Sequence, residues 1–237
     1  MSHVATLIVA LILAFAHIVV SRLRFLEGPR GHLWQSMAGG AAVSYVIVYI
    51  LPSLAEQRDL LQETAFFAFF ARERVYLLCL LGFLVYYGIR RLATLPGFGK
   101  GGRNWAMLIG FSLYSIIIGY LVGEQKGFDF GFLFLIALAM SLHFIGTDYE
   151  FRRHDHEFFD RYMRWSMAAS VLIGWTMGVA HLFGHPSIAA WKAFLSGAII
   201  INTMWEEVPD EHRGRFWPFT AGAIGFALLV MVVYRMR

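Results

Sequence analysis

Eight long apolar stretches follow one another along the chain, each about twenty residues long and bounded by charged or turn-forming residues. They fall at about 3–24, 32–53, 72–93, 103–123, 128–148, 162–184, 187–206 and 216–235. A helix that crosses roughly 30 Å of hydrocarbon needs about twenty residues and must satisfy its own backbone hydrogen bonds. The pattern therefore predicts an all-α integral membrane protein, with eight transmembrane helices in one domain over 1–237 and no soluble domain. The connections are short except at 54–71, 94–102 and 149–161, of which the second, TLPGFGKGG, reads as a flexible basic loop. The first stretch lacks a basic leader, although Ala14-Phe15-Ala16 loosely resembles a cleavage site. With seven spans after it, it is expected to be a retained helix.

Composition agrees with the pattern. The chain is 58% hydrophobic and 15% charged, and its mean hydropathy is +0.59, outside the usual balance of soluble domains. Its pI near 9.3 does not point to nucleic acid, because the basic residues flank the spans. Thirteen of the twenty Lys and Arg, among them Arg22, Arg90, Arg152 and Arg213, fall on one side, and seven, among them Arg58, Lys126 and Lys192, on the other. By the positive-inside rule the first side is cytoplasmic, which puts both termini outside a bacterial inner membrane or its equivalent. The lone cysteine, Cys79, excludes a disulfide framework and a cysteine-based zinc site.

The spans carry an internal echo. Trp34, Gly40 and Pro52 in span two have the same spacing as Trp191, Gly197 and Pro209 in span seven, and Gly82-Phe83 in span three matches Gly225-Phe226 in span eight. Spans four and five share a pattern as well, SLYSIIIGY at 112–120 and SLHFIGTDY at 141–149. Since spans two and seven run in opposite directions, the repeat is inverted, with spans one to three matching six to eight around a central pair. Such 3+2+3 symmetry is typical of secondary transporters.

Several motifs then carry a family resemblance. GGAAVSYVIVYILPSLAE at 39–56, LLGFLVYY at 80–87, LYSIIIGYLVG at 113–123 and SGAIIINTMWEEVPDE at 196–211 resemble the second, third, fourth and seventh spans of the ZIP (Zrt/Irt-like) zinc and iron transporters. The resemblance implies a ZIP-like 3+2+3 inverted-repeat fold and a pathway between spans two, four, five and seven. It also implies a binuclear metal centre on spans four and five, and there the chain departs from the family. Tyr114, Ser115 and Ile118 stand at the family's His, Asn or Ser, and acidic positions, and Tyr49 replaces the His before the Leu-Pro of span two. Span five keeps His143, with Thr147 in place of a carboxylate and Asp148 one position beyond it. A tetrahedral zinc site needs four N, S or O ligands, and a divalent ion in an apolar setting needs negative charge nearby. The usual centre is therefore expected to be absent.

The expected pathway residues are Tyr49, Tyr114, Ser115, His143, Thr147, Asp148, Asn202 and Glu206. His143 and Asp148 form a candidate rearranged metal pair, and His181 with His185, four apart, an accessory one. The plainer readings make His143 a neutral imidazole bonded to Tyr114 or Ser115, Asp148 a solvated helix end, His17 an interhelical hydrogen-bond partner, and His154-Asp155-His156 solvated loop charge. Glu206, Glu207, Asp210 and Glu211 form either a cation vestibule or a solvated helix end. No hydrolytic constellation lies within a single span, so no enzyme is expected. Two function classes remain: a divergent carrier whose cargo is a small ion or solute, a divalent metal among the possibilities, and a non-transporting, partner-binding membrane subunit. The expected partners are the lipid bilayer and a second copy of the chain, with no resident cofactor.

Overall fold

Helix is the one local form that satisfies the backbone of a long apolar segment without a neighbour, and these segments adopt it throughout. The computed structural model describes residues 2–23, 31–56, 73–95, 97, 99–125, 130–183, 185–206 and 215–235, and no strand occurs among them. Helix α1 (Ser2–Val19) ends in a 3-10 turn, Val20–Arg22. Helix α2 (Gly31–Ser44) passes through a π-helical stretch, Tyr45–Ile50, into α3 (Leu51–Glu56). Then come α4 (Arg74–Thr94), α5 (Gly99–Gly123) and α6 (Phe130–His154). The short α7 (His156–Phe158) runs through a second π stretch, Phe159–Met163, into α8 (Arg164–Val179), and α9 (His185–Glu206) and α10 (Phe216–Arg235) complete the chain.

Among the described residues, seven helical segments are long and apolar enough to cross a membrane. The stretch expected at 162–184 is the exception: α8 holds 16 residues and stops at Val179, and the chain then turns with His181 at φ 51°. Two charged residues at its start, Arg161 and Arg164, shorten its apolar run further. It is nevertheless inside the bundle, packed on α5 and α1, with Val171 and Met167 fully buried.

The π stretch in the second span has a local cause. Pro52 brings no N–H to the carbonyl of Val48 and crowds it. Just before it the register widens, and the Leu51 N–H bonds to the carbonyl of Val46. Tyr45 and Tyr49 stack within this stretch at 5.2 Å.

Bundle order follows from three intimate pairs, α5 with α8, α4 with α9, and α2 with α10. Glycines make them possible. A Cβ on Gly40 of α2 would lie 1.9 Å from the Phe219 carbonyl of α10, and one on Gly222 of α10 would lie 2.0 Å from the Met37 carbonyl of α2. Gly197 of α9 meets Cys79 O of α4 at 1.7 Å in the same sense, and Gly82 of α4 meets Phe194 O of α9 at 1.9 Å. Gly40 and Gly197 are the pair that the Trp-Gly-Pro spacing matched. The partner of Gly82 in this geometry is Gly222, three residues before the expected Gly225, which has no neighbour within 4 Å. A glycine-phenylalanine dipeptide is an unreliable marker because only the residue facing the other backbone must be small. In the α5–α8 pair, Gly119 and Gly123 oppose Val171 and Trp175 while Gly174 and Gly178 oppose Ile116 and Tyr120, as helix-packing glycines are expected to do.

Burial sorts the helices. More than half of the apolar window of α5 and of α9 is buried, against 22% for α4 and 17% for α10, so the last two form the periphery. Trp34, Trp105, Trp165 and Trp217 are exposed near helix ends, as an aromatic belt requires. Two expected loops are largely helix. Residues 99–102 open α5, and 149–154 close α6, with the chain leaving helix only at Asp155 before α7. The third, 54–71, lies mostly outside the described residues.

Candidate functional site

The polar groups buried in the bundle form two linked layers and a cavity above them. In the first layer the Tyr114 hydroxyl of α5 and His143 Nε2 of α6 are 2.9 Å apart, and both residues are 1% exposed. This is the pairing expected of a neutral imidazole between spans four and five. Around it pack Tyr86, Phe111 and Phe144, with ring centroids 5.5 to 6.3 Å from Tyr114. Tyr86 donates its hydroxyl to the carbonyl of Gly110 at 2.9 Å.

The second layer departs from expectation. Asp148 is not a solvated helix end: it is 1% exposed, and its Oδ2 lies 2.6 Å from Nδ1 of His17 on α1, itself 2% exposed. The helix runs six residues beyond Asp148, to His154, so the carboxylate lies within it. The ring of His17 stacks on Phe144 at 4.2 Å, which fixes its plane. Its Nε2 is 3.5 Å from Ser115 Oγ. Carboxylate, imidazole and hydroxyl thus stand in the order that activates a serine nucleophile in hydrolases, contributed by three different helices. Here, however, the Ser115 hydroxyl donates to the carbonyl of Phe111 at 2.9 Å, and none of the three residues lines the cavity. The contact between His17 and Asp148 ties α1 to α6.

The proposed metal pair of His143 and Asp148 is not assembled. Residues five apart on a helix point about 140° away from each other, and each has a different partner. Among the described residues no group of three or more His, Cys, Asp or Glu side chains could hold a metal ion. The helical face expected to carry the accessory pair is not formed. His181 lies in the turn after α8 and His185 opens α9, so no single helical face carries both. His181 Nδ1 instead lies 3.1 Å from Oε1 of Glu124, which also accepts the Tyr120 hydroxyl at 3.0 Å. Glu206 ends α9, and its side chain lies outside the described residues, as do Glu207, Asp210 and Glu211.

Asn202 is fully buried, and its Oδ1 accepts from Arg90 Nε at 2.8 Å. Arg90, only 4% exposed, also lies over the rings of Phe111 and Phe151 at 5.4 and 5.9 Å. The sequence reading had placed Arg90 among the flanking charges; its position inside α4, four residues from Tyr86, was the available signal. Thr147 is 3% exposed, and its hydroxyl has no hydrogen-bond partner among the described residues.

Above these layers a half-open cavity of about 90 Å³ lies between α2–α3, α5, α6 and α9. Tyr45, Tyr49 and Ser53 line one side, Gln125 lies just past the end of α5 and Lys192 in the first half of α9, and Ile118 and Met140 are one helical turn from Tyr114 and His143. Of the expected pathway residues whose side chains are described, Tyr49 alone lines it. Tyr114, Ser115, His143, Thr147, Asp148 and Asn202 are all buried outside its walls.

The charged corner between α6 and α7 is built from residues read as loop. Asp155 accepts from the Phe158 N–H at 3.2 Å and from Asn104 Nδ2 at 2.7 Å, and it pairs with Lys100 at 3.2 Å. Burial pushes its carboxyl up, but those three donors outweigh it and hold the pKa below the ordinary 3.8. His154 Nδ1 bonds back to the carbonyl of Glu150.

No family model matches the chain, and no match to a curated protein was found.

Proposed function

We propose that this chain is a membrane carrier on a ZIP-like 3+2+3 bundle of eight spans, one that has given up the binuclear metal centre. The observation that carries the reading is the place of the cavity, between the second, fourth, fifth and seventh spans. In inverted-repeat carriers the cargo site lies where the repeats meet, near the bilayer midplane. The reciprocal glycine contacts, Gly40 and Gly222 against Gly197 and Gly82, support the same pseudo-symmetry. A cavity open at one end and closed by Ile118 and Met140 over the Tyr114–His143 layer fits one half of an alternating-access cycle.

The cargo is not a tightly held divalent metal. Among the described residues the cavity wall holds no carboxylate, imidazole or thiol, and it holds a lysine. Purified protein loaded with zinc and freed of excess should retain far less than one ion per chain by elemental analysis, and His143→Gln should leave both that content and folding unchanged. Stoichiometric zinc, lost in the variant, would restore the metal reading.

A second reading rests on the closed aromatic layer: a non-transporting subunit that keeps the bundle as a scaffold. Proteoliposomes decide between them. Solute-induced volume changes, measured with a panel of small solutes, should exceed those of protein-free vesicles and fall when Tyr49→Trp fills the cavity. Rates equal to empty vesicles for every solute would favour the scaffold.

A further inference from the structure

The cavity has a chemical character of its own. Among the described residues its one charged group is Lys192 of α9, half-buried in the wall. An ammonium at membrane depth is costly unless a counter-charge meets it. Glu124 is the carboxylate whose charge reaches Lys192. That carboxylate is taken by Tyr120 and His181, does not line the cavity, and makes no ion pair with Lys192. Within the wall Ser196 gives its hydrogen to the Lys192 carbonyl at 2.7 Å, leaving its oxygen able only to accept. Gln125 spends one amide hydrogen on the Leu121 carbonyl at 3.4 Å and keeps the other. Tyr45, Tyr49 and Ser53 bring hydroxyls to one side, and the opposite side is apolar, with Ile118, Leu121, Val122, Ile136, Met140 and Ile199.

We propose that this cavity binds a small monocarboxylate, its carboxylate on Lys192 and its short apolar body on the Ile118–Met140 floor. The inference rests on the carrier reading above for its physiological sense, but the site is defined by its own walls. One cation with no ion-pair partner among the described residues selects a single negative charge. An apolar floor selects against inorganic anions, whose whole surface needs hydrogen bonds. The volume sets the size: about 90 Å³ is roughly three times the ~30 Å³ share of a water in the liquid, enough for a few heavy atoms. The same lysine repels a divalent cation.

The test uses the full chain in nanodiscs and radiolabelled propionate, read by scintillation proximity. Saturable binding is expected, weakened at least about tenfold in Lys192→Gln, kept in Lys192→Arg and indifferent to added zinc. Both variants are first checked for helicity and monodispersity. If Lys192→Gln fails to fold, Tyr49→Trp serves instead and should abolish binding by filling the space. No saturable binding, or equal binding in Lys192→Gln, overturns the proposal. Decanoate, which draws on the bilayer as its source, should bind no more tightly than propionate; markedly tighter binding overturns the short-chain assignment. Propionate binding without propionate flux in proteoliposomes leaves this site standing and removes the carrier reading. Flux of another solute without propionate binding does the reverse.

Discussion

His17 and Asp148 carry the clearest energetic statement at the scale of single residues. Both are almost completely buried and 2.6 Å apart, so removing one takes a close partner from the other. His17→Leu breaks this buried pair in an apolar bundle, and a loss of about 3 to 5 kcal/mol is expected on unfolding in detergent. The double variant His17→Leu with Asp148→Leu should recover part of that loss, because no buried charge remains. Strictly additive losses across the cycle would show that the pair is not coupled. The sequence displayed both residues as polar groups in apolar helices, which marks them as costly. It did not display their pairing, since the 131 positions between them say nothing about which faces of α1 and α6 meet.

Elements are held by backbone approach, and glycine position decides where. Gly222 and Gly225 are both in α10 and equally conspicuous in sequence, yet only Gly222 meets the backbone of α2. Gly222→Ala should therefore destabilise the fold by about 1 to 3 kcal/mol as α2 and α10 are forced apart, while Gly225→Ala should change it by less than about 0.5. Thermal midpoints of the two variants in detergent test this, and equal shifts would mean that the α2–α10 register differs. Helix ends show the same division. Pro52 announces the π stretch of the second span, because its missing N–H is a local fact. The stop of α8 at Val179 rather than 184 was hidden, because Leu182 and Phe183 extend the apolar run past the turn.

For the molecule as a whole, the corner at Asp155 ties the start of α5 to the end of α6. Its carboxyl pKa lies below the unfolded value, so its contribution to stability is complete above the ordinary 3.8 and is lost as the pH falls through the lowered folded value. The thermal midpoint of the native protein should exceed that of Asp155→Asn near neutral pH, with the gap closing as the pH drops below about 4. A gap that persists in acid would assign the effect to packing.

What the sequence determined by itself is the solvent and the secondary structure. Apolar runs of bilayer length must be helices, whatever their neighbours. It also marked the helices that enclose the cavity and the residues whose polarity needed an answer. Which residue answers which was decided only in three dimensions. Asp148 turned to His17, His181 to Glu124 and Asn202 to Arg90, while Lys192 kept its place on the cavity wall. Those choices depend on how each helix is rotated and slid against the next, and that is set by packing over the whole bundle.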